Sequence, residues 1–210
     1  MAISGVSDVA IEASGISKGV LNISLSIVLP QGYSELLYVV IGVCIARAAE
    51  SALGIDVGLR WPNKVVLRNK TAGFYRIERL SESGEGTLYR VNITLNLYSN
   101  TARLLGLDTS LSSELGDERA DWESLITRLV SEVKEAARHL REGVTSRFII
   151  EYSRRFANLG EEVRAILKND SIIEGTVMGL SRDGSIIIMS GGELRSIKPG
   201  SIKELRTLWP

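Results

Sequence analysis

The sequence predicts an α+β protein: a mixed β-sheet covered by helices, followed by a small β unit. The first observation is a set of segments with apolar residues at every second position, which is typical of half-buried strands. The second is a set of helical apolar patterns between and after these segments. The third is a change after Gly160 to short strands separated by Asn-Asp and Asp-Gly turns. We therefore predict two domains, 1–158 and 159–210.

The composition is that of an ordinary globular protein without a charge surplus. Hydrophobic residues make up 44% and charged residues 24%, and Lys+Arg and Asp+Glu stand at 25 each. A nucleic-acid binder usually carries a basic surplus, so we expect no nucleic-acid partner. Cys44 is the only cysteine in the sequence, which excludes a disulfide within the chain and favours a reducing cytoplasm. The many Ile, Val, Arg and Glu residues and the single Gln suit a thermophile.

Nothing near the start of the sequence predicts secretion or a membrane span. The opening MAISGVSDVAIEASG lacks the basic and apolar regions of a secretory signal. The most apolar run, residues 36 to 46, is shorter than the ~20 residues that span a bilayer, and Arg47 ends it. We expect this run to lie in a buried helix.

The elements of the first domain follow from pattern and turn chemistry. Residues 19 to 30 alternate apolar and small polar side chains until Pro30, which predicts a strand. Ser34 is then expected to cap a core helix that runs from about residue 35 to 53 and ends at Gly54. Further strands are predicted within 58 to 78 and over 87 to 98, followed by a loop over 99 to 119.

Two more helices are predicted to cover the sheet. Asp121 is a suitable N-cap for a long helix that ends at Gly143, and a shorter helix follows over about 145 to 157. Beyond Gly160, five short strands with turns at KND, SRDG and SGGE predict a barrel-like unit of about fifty residues.

Four pieces of the sequence, in this order, resemble the biotin protein ligases. They are RWPNK at 60–64, KTAGF at 70–74, NITLN at 92–96 and the GTVMGL stretch at 175–180 that runs into Asp183-Gly184. The family patterns are K-W-P-N-D, K-x-A-G-I, G-x-G-I-N and a Gly-rich terminal domain. Residues 16–25, ISKGVLNISL, are also similar to the family's G-G-L-Y-x-S strand. The resemblance implies a biotin and lipoate ligase-like catalytic domain followed by an SH3-like β-barrel.

The resemblance also implies a chemistry. The family joins biotin to ATP, which gives biotinyl-AMP, and then transfers the biotinyl group to a lysine of a carboxyl carrier protein. Two anions meet in the first step, so a fixed cation between them stabilises the transition state. The family's K-x-A-G lysine has this role and matches Lys70. The resemblance places six further residues at the ligands, with Gly73 giving the backbone close access: Arg60, Trp61, Asn63, Lys64, Gly73 and Asn96.

The sequence departs from the family at three places. The family's Arg- and Gly-rich loop before the G-G-L-Y strand is missing, because the stretch from Met1 to Lys18 contains no arginine and is too short for it. Lys64 replaces the acid of K-W-P-N-D, so we expect magnesium to be disfavoured. Asn92 and Thr94 replace two glycines, and their side chains are expected to intrude where the family leaves the backbone bare for biotin.

Plainer interpretations of these residues remain open. Trp61 and Pro62 can be a strand-end turn packed on the core, and Lys70 can be a solvated lysine in a hairpin. Cys44 is expected to be packed in the core helix. His139 is expected to be a favourable charge near the helix C-terminus or a surface residue rather than a ligand.

Two function hypotheses follow. In the first, the chain is a biotin protein ligase homologue that binds biotin and ATP, or biotinyl-AMP, and works as a degenerate enzyme or with a second chain that supplies the Arg-rich loop. In the second, it is a non-catalytic protein that associates with an active ligase or a carrier protein. A shortened sheet leaves an open edge, so under either hypothesis we expect a homodimer or a heteromer.

Overall fold

The computed structural model describes residues 9–84, 86–98, 107–115 and 121–208. Its first sheet has six strands in the order β1-β2-β6-β5-β4-β3, and all five ladders are antiparallel. The strands are β1 (Val9–Ser17), β2 (Val20–Leu29), β3 (Gly58–Arg60), β4 (Lys64–Leu67), β5 (Lys70–Ser83) and β6 (Gly86–Asn96).

Helices cover one face of this sheet, as the period-two pattern of its strands requires. On β2, Leu21, Ile23 and Leu25 are buried, whereas Asn22 and Ser24 between them lie on the opposite face. The buried face packs on α1 (Leu36–Leu53), α3 (Trp122–Arg141) and α4 (Ser146–Arg154). A short α2 (Ser112–Leu115) has no fully buried residue, and its Leu115 packs against the core. The α+β fold class is therefore confirmed, and the sheet has one open polar face.

Helix α1 is the core helix that the sequence predicts, with one correction at its start. Gly54 ends it in the left-handed conformation, and its N–H donates to the carbonyl groups of Ala49 and Glu50. The N-cap is Glu35 rather than Ser34, and no side chain caps the helix. By length and composition α1 could cross a membrane, but 67% of it is buried inside the protein, as in a core helix.

The other predicted caps and turns are present. The Asp121 carboxylate accepts a hydrogen bond from the backbone of Ser124 at 2.9 Å, so it caps α3 as predicted. Gly143, just beyond α3, has a φ of 74°. Of the predicted loop over 99 to 119, residues 99–106 and 116–119 lie outside the described residues.

The second sheet contains the five strands that the turns predict after Gly160. They are β7 (Glu162–Leu167), β8 (Ile172–Leu180), β9 (Ile186–Ser190), β10 (Glu193–Ile197) and β11 (Ile202–Thr207). Their order is β10-β9-β8-β7-β11, and no ladder joins β10 to β11 among the described residues. The small core of this sheet includes Val163, Val177 and Ile188. The boundary at 158 and 159 falls between α4 and β7 and stays a prediction.

Candidate functional site

A shallow groove of about 420 Å³ lies on the open face of the first sheet. Small residues of β1, including Ala13 and Gly15, line it, and β6 contributes Asn92 and Thr94. The Thr94 hydroxyl donates to the Asn22 side-chain oxygen at 3.0 Å, so this polar group is already engaged. Asn92 and Thr94 thus line the groove with side chains, as the sequence predicts, where the ligase pattern has glycine.

A two-residue turn joins β1 to β2 at the end of this groove. Lys18 and Gly19 have φ angles of 50° and 77°, and Ser17 pairs directly with Val20 across the turn. Two residues with positive φ make the tight connection of a hairpin. The ligase resemblance places its Arg- and Gly-rich loop at this point of the chain, and here two residues take its place.

Trp61 lies in the interface between the two sheets. Its side chain is 1% exposed, and its indole N–H donates to the carbonyl of Gly184 in the β8–β9 turn at 3.0 Å. Its backbone N–H donates to the Asn158 side-chain oxygen at 2.8 Å. The structure therefore gives Trp61 the packing role that the sequence left open, and Asn158 and Gly184 are partners that the motif did not reveal.

Asn63 and Asn96 each hold a piece of backbone in place. The Asn63 amide donates to the carbonyl of Tyr75 at 2.7 Å, and the Tyr75 N–H donates back to the Asn63 carbonyl at 3.0 Å. Asn96 is fully buried, and its amide donates to the carbonyl of Thr109 at 2.8 Å. Both donor groups are thus used within the protein, and the ligand contacts predicted for these residues stay predictions.

Gly73 packs directly against β6. A Cβ atom at this position would lie 2.5 Å from the Leu95 side chain and 2.7 Å from the carbonyl oxygen of Thr94. Glycine is required here by the approach of two strands, whether or not a ligand also comes close.

Lys70 lies at the tip of the β4–β5 hairpin, next to the turn formed by Arg68 and Asn69. Its side chain is exposed, and it lines neither the groove nor the cleft described below. Among the described residues, none forms a hydrogen bond or an ion pair with the Lys70 ammonium group. This is the arrangement of a solvated hairpin lysine.

A cleft of about 300 Å³ separates the Trp61–Lys64 corner from the second sheet. The corner side contributes Arg60, whose guanidinium binds Glu161 at 2.8 Å, and Lys64. The second sheet contributes Lys168, Lys203 and Glu204.

The cleft is positively charged. Neither Lys64 nor Lys168 has an ion-paired partner in the described part of the chain, whereas Lys203 pairs with Asp170 at 2.8 Å. Hydrogen bonding to Arg206 lowers the pKa of Glu204, and the charges of Lys64 and Lys203 act in the same direction. Because ammonium groups surround the one carboxylate, this donor set does not fit Mg²⁺.

The other titratable residues that the sequence singled out lie away from both cavities. Cys44 is buried in α1, and burial raises the pKa of its thiol, which fits a packing role. The His139 ring, near the C-terminus of α3, lies 3.1 Å from the Glu135 carboxylate and contacts Arg147. Its side chain is 13% exposed and lies among charged groups near the helix C-terminus, and the expectation that it is not a ligand stays a prediction.

Both sheets are similar to parts of biotin protein ligases. Residues 159–202 match the family model described as Biotin protein ligase C terminal domain. The chain superposes on the crystal structure of biotin protein ligase from Aquifex aeolicus with a TM-score of 0.73 and 22% identity, covering 89% of this chain and 82% of that one. The chain has the fold of the biotin protein ligases.

Two further structures share the biotin protein ligase fold. The Aquifex aeolicus enzyme in complex with biotin and ATP has a TM-score of 0.72 and 23% identity, with 89% of this chain and 78% of that chain covered. A biotin protein ligase-like protein of unknown function from Silicibacter sp. has a TM-score of 0.72 and 18% identity, with 89% and 81% covered. The expected fold, including its SH3-like terminal unit, is confirmed.

Proposed function

We propose that this chain is a degenerate biotin protein ligase homologue that does not form biotinyl-AMP alone and acts by binding a biotin carrier protein. The Lys18–Gly19 turn carries this proposal. Adenylation brings a carboxylate and a phosphate together, and fixed cations must compensate for both charges. A two-residue turn without arginine cannot enclose the ligands or supply those cations.

The position of Lys70 supports the same conclusion. A unit charge pair at 4 Å is worth about 4 kcal/mol at an effective dielectric near 20, but only about 1 kcal/mol in water. An ammonium group at an exposed hairpin tip is surrounded by water, so the smaller value of about 1 kcal/mol applies to it. Lys70 therefore lacks the fixed, desolvated position that would stabilise the transition state.

Lys64 argues against the magnesium chemistry of the family. Its ammonium group lines a cleft that already contains Lys168 and Lys203. A divalent cation there would meet like charge, and its preferred oxygen ligands are not gathered at this place. No step through a metal ion is therefore assigned to this chain.

A carrier protein is the partner that best fits the remaining features. The matched enzymes are biotin protein ligases, and that activity ends on a carrier-protein lysine. The fold and the terminal domain are kept, whereas the Arg-rich loop is replaced by a two-residue turn and Lys70 is exposed. This is the pattern expected when docking is retained and the first chemical step is lost.

A second candidate function is a split enzyme, in which another chain supplies the Arg-rich loop. The groove favours it, because about 420 Å³ of concave space persists beside β6. Under this alternative the isolated chain would still bind biotin weakly, and a second chain would restore adenylation.

Labelled-biotin transfer to a purified carrier domain separates the two candidates. With the isolated chain and magnesium-ATP we expect no transfer, while biolayer interferometry detects binding of the carrier domain. Lys70→Ala should leave the carrier binding unchanged. Transfer that Lys70→Ala abolishes would overturn the proposal, and transfer that appears only after adding a second chain would support the split enzyme.

A further inference from the structure

The cleft between the Trp61–Lys64 corner and the second sheet carries more positive charge than its own carboxylates balance. Lys64 lines it from the corner and Lys168 from the second sheet, and both side chains are exposed. Neither has an ion-paired partner within the described residues. The other charged groups that line the cleft form ion pairs, which are Arg60–Glu161 at 2.8 Å, Lys203–Asp170 at 2.8 Å and Arg206–Glu204 at 2.6 Å. Two ammonium groups are therefore left for a ligand.

The walls of this cleft are fixed, although its ammonium groups are not. The hydrogen bond from the Trp61 indole to the Gly184 carbonyl joins the corner to the second sheet. On the second sheet, the Lys168 N–H donates to the Ser201 carbonyl at 2.9 Å, which fixes the point where its side chain begins. The spacing of the two walls is thus built into the fold, whereas the long lysine side chains can follow a ligand.

We propose that this cleft binds an acidic segment of a partner protein. Carboxylates of the segment pair with Lys64 and Lys168, because an ammonium group is a compact point charge that a single carboxylate can meet. Ile202 and Leu205 also line the cleft and are half-buried, so they offer an apolar surface between charged groups. An apolar side chain of the segment covers this surface, which an inorganic anion cannot do.

A phosphate group fits the cleft less well than a carboxylate. Phosphate sites commonly use backbone N–H groups of glycine-rich turns or a bidentate arginine. Among the described residues that line the cleft there is no glycine, and its one arginine, Arg60, already binds Glu161 and Asn69. Two surplus charges are also few for a nucleic acid, whose binding rests on several phosphate contacts. The inference goes beyond the proposed function and does not require the partner to be a carrier protein.

Fluorescence anisotropy of the labelled peptide Glu-Glu-Leu-Glu-Glu-Leu with the full chain tests this inference. We expect saturable binding that weakens as the salt concentration rises from about 10 to 150 mM, because the Debye length falls from about 30 to 8 Å. The same peptide with Gln in place of every Glu should not bind. Lys64→Gln/Lys168→Gln should lower the affinity for the acidic peptide about five- to tenfold, since both of its ion pairs are lost.

Two further variants separate this binding from folding and from general surface charge. Lys134→Gln removes an exposed lysine of α3 outside the cleft and should leave the affinity unchanged. Lys64→Glu/Lys168→Glu should lose the acidic peptide and bind Lys-Lys-Leu-Lys-Lys-Leu instead, a gain that misfolding cannot produce. The inference is overturned by a wild-type chain that does not bind the acidic peptide, or by equal affinities of wild type and Lys64→Gln/Lys168→Gln. It is also overturned if, at matched ionic strength, pyrophosphate or a short single-stranded DNA displaces the peptide at a lower concentration than unlabelled peptide does.

Discussion

Trp61→Phe should destabilise the protein by about 1 to 3 kcal/mol. The substitution keeps an aromatic ring in the interface between the two sheets but removes the indole N–H that donates to Gly184. The buried carbonyl left without a donor costs about 1 to 3 kcal/mol. A ligand-binding tryptophan in an open site would show no such cost.

The matched control for this substitution is Trp122→Phe. The Trp122 indole also donates one hydrogen bond, to the hydroxyl of Tyr98 at 2.6 Å, but the Tyr98 side chain is 46% exposed. Water can replace this donor, so we expect a loss of only about 0.5 to 1.5 kcal/mol. Urea unfolding followed by far-ultraviolet circular dichroism measures both without using tryptophan fluorescence. Equal losses in the two variants would refute the role of Trp61 as a clamp between the sheets.

Three further predictions concern single residues. Gly73→Ala should cost about 1 to 3 kcal/mol in urea unfolding, because its Cβ would overlap β6, whereas Gly84→Ala, which meets nothing within 4 Å, should be within about 0.5 kcal/mol of wild type. Lys70→Ala should change the unfolding free energy by less than about 0.5 kcal/mol, and a larger loss would mean that its side chain is fixed. Hydrogen bonds from Ser26, Arg90 and Ser24 lower the pKa of Glu12 from 4.5 to about 2. The Glu12 carboxylate therefore stabilises the folded protein above pH 4.5, and this stabilisation is lost as the pH falls towards 2. The free energy of unfolding of the Glu12→Gln variant should therefore depend less on pH over this range.

Most of the fold could be predicted from the sequence because local signals agreed with tertiary structure. The alternation in β2, Gly54 after α1, Asp121 before α3 and the turns of the second sheet each follow from short-range physics. The N-cap of α1 was predicted one residue early, since a serine is a better cap in isolation than Glu35.

The site was harder to predict because its residues are placed by distant contacts. Trp61 donates a hydrogen bond to Gly184, and Gly73 packs against Leu95. No sequence pattern near Trp61 or Gly73 specifies these partners. A motif gives the identity of a side chain but not what it contacts. The solvated position of Lys70 follows from the tight β4–β5 hairpin, which a K-x-A-G match does not reveal.

The proposal that the isolated chain has no adenylating site is tested most directly by calorimetric titration with biotinyl-AMP, with an active biotin protein ligase titrated in parallel. The intermediate carries both halves of the site's ligand, so it would report any retained pocket. We expect no saturable heat for this chain under conditions where the active ligase binds. Tight binding that is lost in Lys70→Ala would contradict the account, because it would place that ammonium group at the ligand.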